Sequence, residues 1–402
     1  MNFSRKNQVS SLDQVNIYDL LIIGGGVVGA AALEMSSNAG LKSVLIEKND
    51  FSSGASSRST KLLHGGIRYL PQLRFKLVRE SLKEQKILKE LLGSLYMPLS
   101  LLAPIYKDGG FADLPKSLQK NIVLTSAFKA GLILYDLLGS RKKMEKHKNA
   151  TKQDTAQLLP LLKKEKLKKS YIFQDAQTDD AKLVLSLLRN SVEINKATAI
   201  NYMEITNIDK QDRFYLILLK DKIEEKNYMI RVKKIVAATG VHNLPKGYTE
   251  KSSIIKYSGG AHIVLEGDPL KIKSKGVLLP KTEDDRVMFI LPWLGNTIVG
   301  TTDTEKFSGS LDNPCANEKD IEYLKHHVKK YFNVSEVEHI SSWSGIRALI
   351  DDSSTSTKNI SREHFLNKID TDFIQIAGGK LTGFRIIAKE SLEAIYPKSF
   401  SL

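Results

Sequence analysis

The chain has 402 residues, 42% of them apolar and 26% charged, enough to bury one large or two moderate cores and unlike a disordered or fibrous composition. Its one cysteine, Cys315, excludes an internal disulfide and thiol-pair redox chemistry and fits a reducing compartment. Lysine and arginine outnumber aspartate and glutamate by 60 to 45, a net charge of +15 that suits either an anionic partner or a Lys-rich solvated surface.

The opening MNFSRKNQVSSLDQV lacks the apolar core of a signal peptide. The apolar stretches around 20–23 and 122–138 are too short or too interrupted to span a bilayer, so a soluble or peripheral cytoplasmic protein is expected. Residues 17–23 (IYDLLII) read as a buried strand running into Gly24-Gly25-Gly26, 27–39 as a helix of small residues, and 42–47 (KSVLIE) as a second buried strand. That is a βαβ unit opening a doubly wound sheet. Phe75, Val78, Leu82, Ile87 and Leu91 recur at helical spacing over 74–92. A second helical region covers about 116–138, a polar Lys-rich link 140–155, and another helix 180–189.

Residues 197–234 alternate like a strand meander, and KKIVAATG (233–240) reads as strand then glycine turn. Short β-type runs fill 260–302, periodicity predicts a helix over 318–331, and 374–395 reads as strand, glycine turn, helix. A last strand-turn-helix that returns to a sheet begun at residue 17 makes the nucleotide-type fold discontinuous. The expected class is α/β with mixed α+β character, a Rossmann-like domain over 15–105, 170–250 and 340–402, and a β-rich substrate-binding or cap domain over 106–169 and 251–339.

Gly24, Gly26 and Gly29 form G-x-G-x-x-G between a strand and a helix, the geometry in which backbone can approach a pyrophosphate at a helix N-terminus. Glu47 ends the second strand, where a carboxylate meets a ribose diol. The fingerprint alone leaves NAD and FAD both open. No His, Cys or carboxylate spacing suggests a metal, since His326, His327 and His339 lack suitable partners.

Glu47 continues as KNDFSSGASSRSTKLLHGGIRYL (48–70), followed by YDLLG (135–139), D-x-x-x-D-D-A-x-L-V (175–184), HIVL (262–265), VMFILPW (287–293), VGTTD (299–303), WSGIRALIDD (343–352), SREH (361–364) and GGKLTGFR (378–385). In this order, over nearly the whole chain, the segments closely resemble the FAD-dependent glycerol-3-phosphate dehydrogenases, within the D-amino-acid-oxidase-like flavoproteins. The resemblance implies FAD as cofactor, with the Rossmann-like part as a discontinuous FAD-binding domain. It adds Ser56, Ser57, Ser59, Thr60, Lys61, His64, Gly65, Gly66, Thr239, Gly240, Gly378, Gly379, Lys380, Leu381 and Thr382 to the cofactor-binding set. On this reading Gly378-Gly379-Lys380 starts the last helix, whose N–H groups face a reduced flavin's negative charge.

The resemblance also implies oxidation of glycerol 3-phosphate to dihydroxyacetone phosphate, with electrons passed to a quinone or other membrane acceptor. Arg68, Tyr69, His262, Arg347, Arg362 and Lys380 carry over as substrate positions, and a dianion suits such a basic set. Arg68, Arg362 and Lys380 are expected on phosphate or glycerol oxygens, Arg347 and Tyr69 nearer the C2 oxygen. His262 is the first candidate for the base that removes the C2 hydroxyl proton as hydride leaves for the flavin, and His64 is its rival. Arg347 could instead stabilise the developing alkoxide with no dedicated base.

Three departures stand out. AATGVHNLP (237–245) lacks the family's Pro-Trp pair, Gly259-Gly260-Ala261-His262 lacks a lysine before the histidine, and the usual C-terminal helical domain is absent from the 402 residues. Competing readings are a related FAD oxidase that reduces oxygen, an amine or amino-acid oxidase, and a non-catalytic flavin-binding protein. A homodimer and contact with an anionic membrane, through 74–92 or 122–138, are expected from the resemblance and the charge. Nucleic acid is not, because no basic helix carries interleaved aromatics.

Overall fold

The computed structural model describes residues 3–69, 74–107, 121–138, 146–245, 248, 255–305, 307–350 and 364–400, without the side chains of Arg68, 121–128, Leu138, Ile255, Ile350 and Lys398. The chain is mixed α/β and divides into two compact units: residues 1–59, 179–258 and 346–402 form the first, and 60–178 and 259–345 the second.

The first unit is built on an eight-stranded sheet among the described residues. Its main path runs His364–Asp370, Phe373–Gly378, Asn227–Ala237, Tyr18–Ile23, Ser43–Ile46, Thr198–Ile200. The last five of these pair in parallel. Such strands are covered on both faces and therefore read as continuous apolar runs, as Leu20, Leu21, Ile22, Val44 and Leu45 do. From Tyr18–Ile23 the chain builds outward to Ser43–Ile46 and Thr198–Ile200, then returns to the opposite side through Asn227–Ala237. The order reverses beside Tyr18–Ile23, and a doubly wound sheet leaves a binding crevice at the carboxyl ends of such strands. The helix Val27–Asn38 packs against the helices Asp180–Glu193 and Phe384–Ile395.

The second unit carries a nine-stranded sheet among the described residues, in which Met97–Tyr106 and Leu167–Gln177 pair antiparallel along most of their length. Alternation sorts its side chains between two cores. Leu101, Ala103 and Ile105 join Leu77, Val78, Leu82 and Leu132 on one face. Leu102, Val277 and Leu279 join Leu324 and Val328 of the helix Glu318–Tyr331 on the other.

The unit boundaries fall elsewhere than the sequence suggested. Residues 60–105 belong to the second unit, because Leu62–Leu63 and Met97–Tyr106 both pair with Leu167–Gln177. The link expected over 140–155 contains a short strand, Lys148–Ala150, and a helix, Lys152–Leu158, with a reciprocal Thr151–Asp154 capping box. The helix Phe75–Leu91 also turns differently from the expected apolar stripe. Phe75 and Leu91 are 42% and 65% exposed, while Leu77, Leu88 and the polar Ser81, Glu84 and Gln85 are buried.

Candidate functional site

In the first unit the fingerprint sits at the reversal of strand order. Gly24 N–H donates to the Ile46 carbonyl at 2.9 Å, and Ala238 N–H donates to the Ile23 carbonyl at 2.8 Å. This places the Thr239-Gly240 turn beside Gly24. A Cβ on Gly29 would overlap the Gly24 carbonyl oxygen, so only glycine lets the helix Val27–Asn38 start this close to the strand. That helix has no side-chain cap from its own N-cap residue, Gly26. Instead Val27 N–H donates to Ser56 Oγ at 2.9 Å. A hydroxyl that accepts there keeps its own proton to donate to a phosphate oxygen. Glu47 takes two backbone bonds, from Gly25 N–H to Oε2 at 2.7 Å and from Asn49 N–H to Oε1 at 2.8 Å. They fix the orientation of the carboxylate at the end of the second strand.

The serine-rich segment after this strand is anchored at its far end. Asp180 Oδ2 accepts from Ser59 Oγ at 2.7 Å and from Ser59 N–H at 3.3 Å. Gly378 and Gly379 end the strand Phe373–Gly378 with φ of +74° and +96°, values suited to glycine. They do not start the last helix. A 3-10 turn, Leu381–Gly383, intervenes, Lys380 is its N-cap, and the helix begins at Phe384. Arg347 Nη1 donates to Ser258 Oγ at 3.3 Å.

In the second unit His262 is 2% exposed and held on three sides. Its ring stacks on Trp343 with centroids 5.0 Å apart and planes 12° off parallel. Its Nε2 lies 2.9 Å from Thr60 Oγ1. A Cβ on Gly300 would overlap the imidazole, so glycine is the residue that leaves room for it. Lys61 Nζ stands 5.8 Å from the centroid of the Trp343 ring. His64, Gly65 and Gly66 lead into the 3-10 turn Ile67–Tyr69, which carries Arg68 and the buried Tyr69.

The sequence model of the family described as FAD dependent oxidoreductase matches residues 19–380. The chain belongs to this family. It is 34% identical over 415 residues to the mitochondrial glycerol-3-phosphate dehydrogenase of Bos taurus, covering 97% of the chain and 54% of that protein. It is 34% identical to the aerobic glycerol-3-phosphate dehydrogenase of Staphylococcus aureus (strain USA300), covering 94% and 67%. The solved structure of the glycerol-3-phosphate dehydrogenase from Bacillus halodurans complexed with FAD superimposes with a TM-score of 0.73 at 27% identity, covering 98% of this chain and 68% of that one. The chain thus spans about half the length of the mitochondrial relatives it matches.

For an FAD-dependent oxidoreductase the donor set of the first unit fits its cofactor: a close-packed glycine turn at a helix N-terminus, hydroxyls beside it and an oriented carboxylate at the end of the second strand. The expected cofactor residues divide between the units, with Gly24 to Ser59, Thr239, Gly240 and Gly378 to Thr382 in the first and Thr60 to Gly66 in the second. Of the expected substrate residues, Tyr69 and His262 lie in the second unit and Arg347 and Lys380 in the first. Arg68 is described for its backbone alone, and Arg362 lies outside the described residues. The sequence alone did not pick out Trp343, which stacks on His262, or Asp180, which holds Ser59. Both stood in quoted motifs, WSGIRALIDD and D-x-x-x-D-D-A, but a role in holding another residue has no one-dimensional signature. Among the described residues no His, Cys, Asp or Glu cluster could hold a metal, and no helix is long and apolar enough to cross a membrane.

Proposed function

We propose that this oxidoreductase converts sn-glycerol 3-phosphate to dihydroxyacetone phosphate, with FAD held by the first unit and electrons passed to a quinone-type acceptor. The observation that carries the reading is the clamped His262, in a chain 34% identical over 97% of its length to a glycerol-3-phosphate dehydrogenase. FAD, when bound, supplies the acceptor for the hydride from C2.

The protein's own residues bind and deprotonate. Arg68, Arg362 and Lys380 hold the phosphate dianion, for which guanidinium forks and an ammonium are suited. Arg347 and Tyr69 hold the C2 oxygen as its negative charge develops. His262 takes the C2 hydroxyl proton, its ring fixed by Trp343 and Thr60 so that little reorganisation accompanies the transfer. His64 is the second candidate for that proton. The net charge of +15 supports docking at an anionic membrane surface, where a quinone would be met.

The test is the visible spectrum of the purified protein under anaerobic conditions, before and after glycerol 3-phosphate. Bleaching by this substrate and not by glycerol or lactate is expected. Slow recovery on readmitting air, and fast recovery with a soluble quinone, is expected of a dehydrogenase. Fast recovery in air with hydrogen peroxide released would convert the reading to an oxidase, and a flavin that stays oxidised would sink the substrate assignment.

A further inference from the structure

Asp175 lies inside the second unit with 3% of its surface exposed. A carboxylate buried this deeply is costly unless hydrogen bonds replace its water. Here one oxygen, Oδ1, accepts three: from Gly65 N–H at 3.0 Å, Gln85 Nε2 at 2.8 Å and Tyr135 OH at 2.8 Å. Gln85 Nε2 also bonds to the Leu63 carbonyl oxygen. The backbone is therefore gripped on both sides of His64, through the carbonyl of residue 63 and the amide of residue 65. A Cβ on Gly65 would overlap the Tyr135 hydroxyl, so the turn is seated directly on the phenol.

Burial, followed by the charge of Asp175, pushes the Tyr135 hydroxyl well above its ordinary range and keeps it a donor. The four participants come from four places in the chain: the Leu63–Gly65 loop, the buried polar edge of the helix Phe75–Leu91, the helix Asn121–Leu138 and the strand Leu167–Gln177. This accounts for Gln85 on a helix face that apolar periodicity would have filled with a hydrophobe. It also gives a shared purpose to the tyrosine of YDLLG and the first aspartate of D-x-x-x-D-D-A.

We propose that Asp175, with Tyr135 and Gln85, is a positioning residue that sets the His64–Tyr69 turn from beneath, and through it the placement of Arg68 and Tyr69 on the substrate. The second half of this assignment rests on the proposed function, and the first half does not. A carboxylate suits the task because charge-assisted bonds resist bending more than neutral ones, and three donors converging on one atom define a point in space.

The experiment uses the FAD-loaded protein with Asp175→Asn, which removes the charge and keeps the shape, and Tyr135→Phe, which removes one donor. Hydrogen exchange is followed in the peptide covering 63–69 and in the strand Tyr18–Ile23. Exchange over 63–69 is expected to accelerate by about tenfold in Asp175→Asn, with Tyr18–Ile23 unchanged. Anaerobic reduction by glycerol 3-phosphate is expected to slow about a hundredfold in Asp175→Asn, as for a site misplaced by an ångström, with FAD content retained. Tyr135→Phe is expected to raise the apparent Kd for glycerol 3-phosphate about tenfold with a smaller change in the limiting rate.

Unchanged exchange over 63–69 in both variants would overturn the proposal. So would loss of protection in both peptides alike, which would make the cluster general packing. Altered exchange with unaltered reduction would overturn the link to Arg68 and Tyr69. If the parent protein ignores glycerol 3-phosphate, the proposed function falls, and the exchange measurement decides the cluster by itself.

Discussion

His262 and Gly300 show how much a single position can decide. The imidazole is pressed between an indole and a backbone with no side chain, so Gly300→Ala forces the ring, the strand Asn296–Gly300 or both to move. Overpacking of this kind costs about 1–3 kcal/mol. We expect a loss of that size in a thermal melt, together with a fall in the rate of flavin reduction of about a hundredfold and unchanged FAD content. Reduction at the parent rate would show that the geometry of His262 does not limit the chemistry. His262 was a candidate in AHIVL, and the glycine of VGTTD was visible as part of a motif. The reason for that glycine was not legible, because the contact joins residues 262 and 300 across two strands whose register the sequence does not print.

Among the elements, the helix Asp180–Glu193 does two jobs with adjacent aspartates. Asp179 is its N-cap, accepting from Lys182 N–H at 3.1 Å, and Asp180 opens the first turn while holding Ser59. Asp180→Ala should therefore differ from Asp179→Ala. The cap mutant is expected to lose about 1 kcal/mol in a melt and keep its flavin. The Asp180 mutant frees the end of the serine-rich segment, and we expect FAD to bind about tenfold more weakly in a fluorescence titration. Equal flavin affinity in the two would assign Asp180 to the helix alone. The sequence placed this helix and the Rossmann-like strands closely because parallel buried strands and capped helices leave local signatures. It missed Met97–Tyr106 and Leu167–Gln177, whose mixture of lysine, serine, proline and apolar residues meets no simple period. Their identity as strands comes from pairing with each other across some seventy residues, as the Ser100–Gln174 register shows.

At the scale of the molecule, a chain that crosses four times between two units keeps the fold class legible and hides the boundaries. The βαβ unit at 17–47 and the last strand-turn-helix mark the Rossmann-like part, but no local signal separates the segment 60–105 from it, and sheet pairing places that segment in the second unit. The same unit carries a titration that should govern its stability near neutral pH. His327 is buried, with Nδ1 2.8 Å from the Tyr323 carbonyl oxygen and Nε2 accepting Glu283 N–H at 3.3 Å. The neutral tautomer with a proton on Nδ1 satisfies both, whereas a second proton on Nε2 would face an N–H. Burial, then the nearby positive charges of His326 and Lys330, holds the imidazole below its ordinary range, against the pull of the Tyr323 carbonyl and Glu283. As pH falls through about 6.5 the unfolded chain takes up a proton that the folded chain refuses, so stability is full above that pH and lost below it, until the folded imidazole also titrates. The limit is about 1.4 kcal/mol per pH unit, or about 3–6 °C in the melting of a unit of roughly two hundred residues. The carboxylates lowered by hydrogen bonds to basic partners, such as Asp19 and Asp370, lose their contribution only as pH falls below about 4. His327→Gln keeps an acceptor for Glu283 N–H and cannot titrate. Between pH 7.5 and 5.5 we expect the parent protein to melt progressively lower and this variant to follow a flatter line; parallel lines would mean that His327 is neutral in neither state's disfavour and that the acid loss arises elsewhere.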